Sequence, residues 1–565
     1  MAIVLGINAV FHDPAAALVI DGMTVAAAEE ERFTRIKHGK MAVPFSTWEL
    51  PGQAARWCLD QGGVGPGDVD VITYSYDPDL LAAPGADLSV DEWEPLRTLY
   101  ATKAPSFLES VLPGIDGSLL RFVPHHVAHA ASAYLAAPFP DSAVLVIDGR
   151  GETGSHLAGR VVGGDLEVLF SQTLPHSLGL MYEALTVHLG FRRSDEYKVM
   201  AMAAYGEPVH LSLFRELIRT TGDGGFVVEP IEWGRLVAAA SPGRWTQGHA
   251  NLASSVQHRL EEVVLELAEW LHDRTGAGAL TMAGGVALNC VANSRLAADG
   301  PFERVWVQPA AGDAGTALGG ALFAAHDIGD RVVPFTTAAL GRGWSDAELE
   351  ACLREADVGF ERPDDLPDAV ADVLARNGVV AWFQGRSEYG PRALGHRSLF
   401  ANPSHPDNLH RMNVIKGREQ FRPVAPMVLA ERADEIFEGP TPSPYMVFTH
   451  RIRPAWKDRI PAAVHVDGSA RAQTVHADDE PLVHQLLCAF ERRTGVPVLV
   501  NTSLNTAGRP MVDDPRDALE CFGSAPVDIL VLGPFLVRRR PITSEVGAAT
   551  EPHRRAPADG TAGDR

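Results

Sequence analysis

The stretch IVLGINAVFHDPAAALVIDGMTVAAAEEE (3–31) decides the fold, because its pattern returns near residue 143. IVLGIN (3–8) is a short apolar run, and AALVIDG (16–22) and MTVAAAEEE (23–31) are two more, joined at Asp21-Gly22. Asp-Gly between apolar runs signals a hairpin. Further on, AVLVIDG (143–149) precedes SHLAGRVVGGDLEVLF (155–170), with Gly163-Gly164 at the second turn. Strand, loop and hairpin occur twice, and such internal similarity implies a duplicated unit.

Two halves of this kind with a cleft between them suggest the actin–hexokinase architecture, an α/β fold expected over 1–345. Within it, 178–206 and 252–274 read as helices; VVLELAEWLH (263–272) carries apolar residues three and four apart. ALTMAGGVALNCVANSRLAA (279–298) and VWVQPAAGDAGTALGGALFAAH (305–326) each read as strand, glycine turn and helix. GRGWSDAELEACLREA (341–356) reads as a connecting helix with Ser345 as N-cap, and the prolines and acids of 359–367 read as a connection, so 346–366 is expected to be a linker. A second, smaller α/β domain is expected over 367–546: helix and strand in 368–385, strand and loop in 496–505, a strand pair in 527–539. The Ala-, Pro- and Gly-rich segment 547–565 is expected to be a disordered tail.

The chain has 565 residues and a net charge of −23, which argues against a general nucleic-acid or membrane-surface binder. Five scattered cysteines without CxxC pairing suit a reducing compartment, and MAIVLGINAV lacks a basic leader. No apolar run approaches the roughly 18 residues of a membrane span. A cytoplasmic location is expected, with monomer and homodimer both open.

PHHVAHAASAYL (124–135) holds His125 and His129 four residues apart, on one helix face at about 5–6 Å between Cβ atoms. Asp148 ends an apolar run, and Asp313 follows another and precedes a helix. Two imidazoles and two carboxylates at strand ends and helix starts can meet at the mouth of an α/β sheet and would suit iron, manganese or zinc better than copper(I). Taken singly, Asp148 reads as a turn residue, Asp313 as an N-cap and the histidines as structural. HHVAH lacks the glutamate of HExxH, and His126 should point about 100° away from its neighbours. His12 follows the first strand as Asp148 follows its counterpart, and is a candidate general base.

Gly284 and Gly285 let backbone approach a phosphate ahead of a helix, or serve tight packing; no Lys-Ser/Thr of a Walker A loop follows. Lys198, on an otherwise apolar helix, reaches a phosphate or snorkels to water. Residues 384–422 carry seven basic and three acidic side chains, reversing the sign of the chain, with Gly385, Gly390 and Gly395 interleaved among Arg386, Arg392 and Arg397. Forked guanidinium donors beside open backbone match phosphate geometry. Arg471 and the loop Asn501-Thr502-Ser503 add anion-directed groups. A salt-bridged surface is the other reading.

EEERFTRIKH (29–38), HHVAHAASAY (125–134), DEYKVMAMAAYG (195–206), AGGVALN (283–289), GPRALGHRS (390–398) and VNTSLN (500–505) occur in this order. With these motifs the chain resembles, over about 1–545, the O-carbamoyltransferase family of nodulation-factor and antibiotic biosynthesis, the tobramycin carbamoyltransferase type being nearest. The resemblance implies a metal-containing actin–hexokinase-type domain fused to a YrdC-like domain. It implies that the second domain forms carbamoyl adenylate from carbamoyl phosphate and ATP, with Mg, and that the first passes the carbamoyl group to a hydroxyl of a small natural product. It carries over His125, His129, Asp148 and Asp313 as ligands of Fe(II) or another divalent metal, and His12 and Lys198 to catalysis. Lys416, Arg422, Arg471, Asn501 and Ser503, with Arg392, match the carbamoyl phosphate positions; Gly284, Gly285, Asn289, Arg386 and Arg418 complete the residues expected to bind the nucleotide and carbamoyl phosphate. Ala201 departs from the glycine that the family usually has after KVM. A tRNA threonylcarbamoyl-adenosine-type enzyme and a non-catalytic nucleotide-binding scaffold are the alternatives.

Overall fold

The computed structural model describes residues 2–39, 49–81, 93–506 and 508–539; the expected tail at 547–565 lies outside them. The first sheet holds β1 (Ile3–Asn8), β2 (Ala15–Ile20), β3 (Met23–Glu29), β4 (Val71–Tyr74) and β5 (Leu120–Phe122), in the order β3-β2-β1-β4-β5. The second holds β6 (Ser142–Ile147), β7 (Gly154–Val162), β8 (Asp165–Thr173), β9 (Ala279–Ala283) and β10 (Arg304–Val307), in the order β8-β7-β6-β9-β10. In both, the first strand pairs antiparallel with a hairpin and parallel with the fourth, and the fourth pairs parallel with the fifth. The topology repeats strand for strand, as the sequence pattern of 3–31 and 143–170 requires. The hairpin turns fall at Asp21-Gly22 and Gly163-Gly164, with all four residues at positive φ.

Helices α1 (His125–Tyr134) and α2 (Ala314–Asp327) lie between the two sheets' first strands and are rich in alanine and glycine. That composition permits backbone contact. A Cβ on Gly319 of α2 would lie 1.8 Å from the Ala128 carbonyl oxygen of α1, and one on Gly6 of β1 would lie 1.9 Å from the Ala317 carbonyl oxygen of α2. The close approach brings Asp313, just before α2, onto the histidine face of α1. Gly319→Ala therefore forces the two helices apart. The expected outcome is a loss of about 1–3 kcal/mol, the usual cost of overpacking, read as a lowered urea midpoint. An unchanged midpoint would show that the contact is looser than drawn.

The third sheet holds β11 (Val380–Phe383), β12 (Arg397–Ala401), β13 (Ala425–Leu429), β14 (Gln473–Val475), β15 (Val498–Ser503), β16 (Ile529–Leu532) and β17 (Phe535–Arg538). Its order is β14-β13-β15-β12-β11-β16-β17, with parallel and antiparallel pairs mixed. The stretch 346–366 is not a free linker. Helix α3 (Asp346–Glu355), capped by Ser345 through a capping box, buries Leu349 and Leu353 in the core that includes Ala381 and Leu530. Glu361 exchanges backbone hydrogen bonds with Leu536 of β17 at 3.0 and 2.8 Å. The i,i+4 leucine pair explains the difference: an apolar stripe on a short helix is buried wherever a core is offered.

The first and third sheets are tied by buried polar contacts. The Gly390 N–H donates to Glu29 Oε1 at 2.8 Å, and Arg32 donates to the Gly390 carbonyl at 3.0 Å. The Asn293 amide donates to the Val447 carbonyl at 3.0 Å.

Candidate metal centre and anion site

Each half of the first metal-like pair is set by its element. His125 opens α1, where its backbone N–H donates to Glu152 Oε1 at 2.9 Å. Its ring Nδ1 lies 3.1 Å from the Ser75 carbonyl. A carbonyl only accepts, so Nδ1 carries the proton and Nε2 is left with its lone pair. One turn on, His129 brings its ring to 4.7 Å from that of His125. Asp148 sits one residue beyond β6, its Oδ1 accepting from the Gly285 N–H at 2.8 Å. Its Oδ2 faces His125 Nε2 at 3.5 Å and His129 Nε2 at 3.7 Å. Asp313 Oδ1 lies 3.6 Å from both of those nitrogens.

All four side chains are buried, and one ligand atom from each lies within 4.8 Å of the other three. The 3.5–3.7 Å separations are too long for N–H···O bonds. His125 Nε2, both ring nitrogens of His129 and Asp313 Oδ2 are buried without a hydrogen-bond partner among the described residues. Buried polar groups are ordinarily satisfied; of these orphans, His125 Nε2 and His129 Nε2 face Asp148 Oδ2 and Asp313 Oδ1 across 3.5–3.7 Å, an arrangement that fits a bound divalent cation. Burial alone would raise the pKa of Asp313; His12 and His125 outweigh it and hold the group well below the usual carboxylate range. Burial, with the nearby His125 and His129, pushes His126 down to about 3. His126 is a neutral neighbour outside the four, packed against Gly151, where a Cβ would stand 3.0 Å from its ring.

A second cluster lies in the other domain. Arg392, Lys416, Arg418, Arg422 and Arg471 repel one another. Burial first, then Arg471 and Arg422, pulls Arg392 down to about 9; burial, then Arg422 and Arg471, does the same to Arg418. Burial, then Arg418 and Arg422, holds Lys416 well below the usual lysine value. Lys416 donates to Ser503 Oγ at 2.9 Å and to the Ser503 carbonyl and Asn505 Oδ1, all neutral acceptors. Among the described residues, Arg392, Arg418 and Arg471 have no carboxylate partner, and the buried Nε atoms of Arg392 and Arg471 have no acceptor. A guanidinium keeps its proton in proteins, so the repulsion persists until an anion arrives. Asn501, donating to the Ala393 carbonyl at 2.9 Å, leaves its buried Oδ1 free beside this cluster.

Two family models match this chain. The one described as Carbamoyltransferase N-terminus matches residues 3–322, and the one described as Carbamoyltransferase C-terminus matches residues 371–539. The chain belongs to the carbamoyltransferase family. It is an enzyme of the transferase class. Nodulation protein NolNO of Sinorhizobium fredii is 37% identical over 564 residues, covering 95% of this chain and 80% of that protein. Nodulation protein U of Bradyrhizobium diazoefficiens is 42% identical over 565 residues, covering 90% of this chain and 93% of that one. Among solved structures, T. kodakarensis HypF aligns at 14% identity with a TM-score of 0.36, over 59% of this chain and 49% of that chain. No helix among the described residues is long and apolar enough to cross a membrane.

In this carbamoyltransferase, several expected phosphate-binding groups have other partners. The Gly285 N–H is taken by Asp148, and Gly284 (φ +90°) lets its backbone pass Ile147, whose carbonyl oxygen would stand 2.3 Å from a Cβ there. Of the two roles open to these glycines, packing is the one visible. Asn289 caps the helix Cys290–Asp299 and exchanges both ends of its amide with Gln257. Arg386 is not in the cation cluster: it donates to the Val25 carbonyl and to the Gly341 carbonyl at 3.0 Å each, and stacks over Trp57. Arg397 likewise donates to the Gln384 and Arg342 carbonyls. Lys198 is paired with Asp195 at 3.0 Å and with Glu419, across the domain boundary, at 2.9 Å. His12 stands with its Nε2 3.7 Å from Asp313 Oδ2, at the edge of the metal-like cluster.

Two residues of the site were not foreseen. Glu152 holds the start of α1 through His125 and also accepts from the Asp77 N–H at 2.7 Å; its one signal was an acid among glycines soon after Asp148. Tyr197 lies under Arg422, with the guanidinium carbon 4.6 Å from the ring centroid, and so brings the first domain against the cation cluster. Nothing in the spacing of the sequence announces that contact.

Proposed function

We propose that this carbamoyltransferase is an ATP-dependent O-carbamoyltransferase with two stations. The observation that carries the reading is the pair of unlike clusters in one chain, one of mutually repelling cations in which Arg392, Arg418 and Arg471 lack a carboxylate partner among the described residues, and one of buried imidazoles and carboxylates whose facing atoms stand too far apart to hydrogen-bond each other. In the second, YrdC-like domain, Arg392, Lys416, Arg418, Arg422 and Arg471 receive carbamoyl phosphate and the phosphates of ATP, which arrives with Mg. Water cleaves carbamoyl phosphate to carbamate and inorganic phosphate. A carbamate oxygen attacks the α-phosphorus of ATP, giving carbamoyl adenylate and pyrophosphate. Fixed cations favour that step because they face charge on the leaving pyrophosphate without reorganising.

In the first domain, His125, His129, Asp148 and Asp313 would hold Fe(II) or another divalent metal. Bound there, such an ion supplies Lewis acidity toward a carbonyl oxygen. His12 takes the proton from the acceptor hydroxyl as its oxygen attacks the carbamoyl carbon; the carbon–oxygen bond to AMP breaks, and AMP leaves with the electron pair. The acceptor is a small hydroxylated natural product, an antibiotic or a glycoside. Carbamate and its adenylate are labile, so a closed passage between the stations limits loss to water. The Lys198–Glu419 and Tyr197–Arg422 contacts bring the two domains together beside the cation cluster and suit that purpose.

Incubation with ATP and carbamoyl phosphate tests the reading. Pyrophosphate should appear only when both are present, and threonine, bicarbonate and tRNA should neither replace nor stimulate carbamoyl phosphate. Pyrophosphate release that ignores carbamoyl phosphate would refute it.

A further inference from the structure

The motif EEERFTRIKH (29–38) is not used by either station, yet its last residue reaches the first. His38 Nδ1 lies 3.0 Å from Asp13 Oδ1, and Asp13 Oδ2 lies 2.9 Å from His12 Nδ1. One carboxylate therefore joins two imidazoles that are 26 residues apart in sequence. Ionised, it only accepts, so both Nδ1 atoms carry protons; in the neutral His12 ring the lone pair is then on Nε2, on the side of Asp313, 3.7 Å away. The arrangement is held on every side. The fully buried Asn8 donates from its amide to the carbonyls of both His12 and Asp13 at 3.0 Å. The His38 N–H donates to Glu31 Oε2 at 2.8 Å, and Glu31 Oε1 accepts from Arg32 at 2.9 Å. A Cβ on Gly39 would stand 2.7 Å from Pro14, so the His38 turn packs on the His12–Pro14 loop.

The backbone at both relay residues is unusual. Asp13 (φ +48°) and His38 (φ +64°) occupy the left-handed region without being glycine. Each such residue costs about 1–3 kcal/mol and persists where surrounding contacts impose it. Asp13, Glu31 and His38 are close enough to hold a cation among themselves, but the hydrogen bonds above already satisfy them, which favours a relay over a second metal site.

We propose that Asp13 and His38 are positioning residues: Asp13 fixes the tautomer and ring orientation of His12, and His38 fixes Asp13. The proposal rests on the general-base reading of His12. It is tested in the full-length, metal-loaded protein with His12→Ala, Asp13→Ala, Asp13→Asn, His38→Gln and the double variant Asp13→Ala/His38→Gln. For each, the acceptor KM and kcat, pyrophosphate release, metal content and melting temperature are measured.

Asp13→Ala should lower the transfer kcat about 100-fold, less than the ≈10⁴-fold loss seen when a buried triad aspartate becomes asparagine, because the His12 side chain is half exposed here. Acceptor KM, pyrophosphate release and metal content should hold. Asp13→Asn should not recover the loss, since with His12 and His38 on its two sides an amide must present its NH2 to one of them. The double variant should be no slower than Asp13→Ala, because His38 acts through Asp13. A wild-type transfer kcat in Asp13→Ala, with His12→Ala inactive, would overturn the positioning roles and leave the base reading standing. Multiplying losses in the double variant, or equal losses in both half-reactions with a lowered melting temperature, would also overturn them. Full transfer in His12→Ala would refute the base reading itself.

Discussion

His129→Ala should leave a folded protein that binds no divalent metal, still makes pyrophosphate from ATP and carbamoyl phosphate, and transfers the carbamoyl group at least about 10³-fold more slowly, a barrier increase of roughly 4 kcal/mol. His129 is the cleaner choice of the two histidines. His125 also bonds the Ser75 carbonyl through its ring, so its loss would unsettle the chain after β4. His129 has no hydrogen-bond partner on either ring nitrogen among the described residues, and its removal takes little from the fold beyond packing. Elemental analysis and separate assays of the two half-reactions check the result. Normal metal content with normal transfer would show that the four converging atoms hold nothing needed for catalysis.

Arg471→Ala should have effects of opposite sign on function and stability. A charge-assisted hydrogen bond to an anion contributes about 1.5–3 kcal/mol, so the KM for carbamoyl phosphate should rise roughly 10- to 150-fold. The ligand-free protein should become more stable by about 1 kcal/mol, because a half-buried cation whose Nε has no acceptor among the described residues and whose charge repels Arg392 and Arg418 is removed. Inorganic phosphate should raise the melting temperature of the wild type and do so less in the variant, as expected for a ligand that binds only the folded state. Chemical denaturation with and without phosphate checks both signs. A variant that is destabilised without phosphate and keeps the wild-type KM would mean that Arg471 is an ordinary structural cation.

The duplicated fold was legible because hairpin chemistry is local. Asp21-Gly22 and Gly163-Gly164 mark equivalent turns, and the apolar runs before them mark equivalent central strands. The meeting of the two histidines and two aspartates was legible for the same kind of reason: helix spacing for the histidines, a strand end for Asp148 and a helix start for Asp313. What the sequence could not separate was one arginine from another. Arg386 and Arg392 share a glycine-rich segment, yet one guanidinium is filled by backbone carbonyls while the other stands among cations. Only the three-dimensional supply of acceptors decides between them. Gly285 poses the same problem: its open backbone was read as a possible phosphate cradle, and its N–H in fact holds Asp148. In 346–366 the helix and its Ser345 cap were legible, but the prolines and acids beyond it resemble a connection, and the short Leu349–Leu353 stripe did not announce that the helix packs into the core of the third sheet.

Both stations can be examined in one preparation of the wild-type protein. After exhaustive chelation, confirmed by elemental analysis, and with magnesium resupplied for ATP, pyrophosphate release should continue at its original rate. Carbamoylation of the acceptor should be absent and should return on adding ferrous iron. Stripped protein that still carbamoylates, or that loses both half-reactions together, would contradict the division of work between the two clusters.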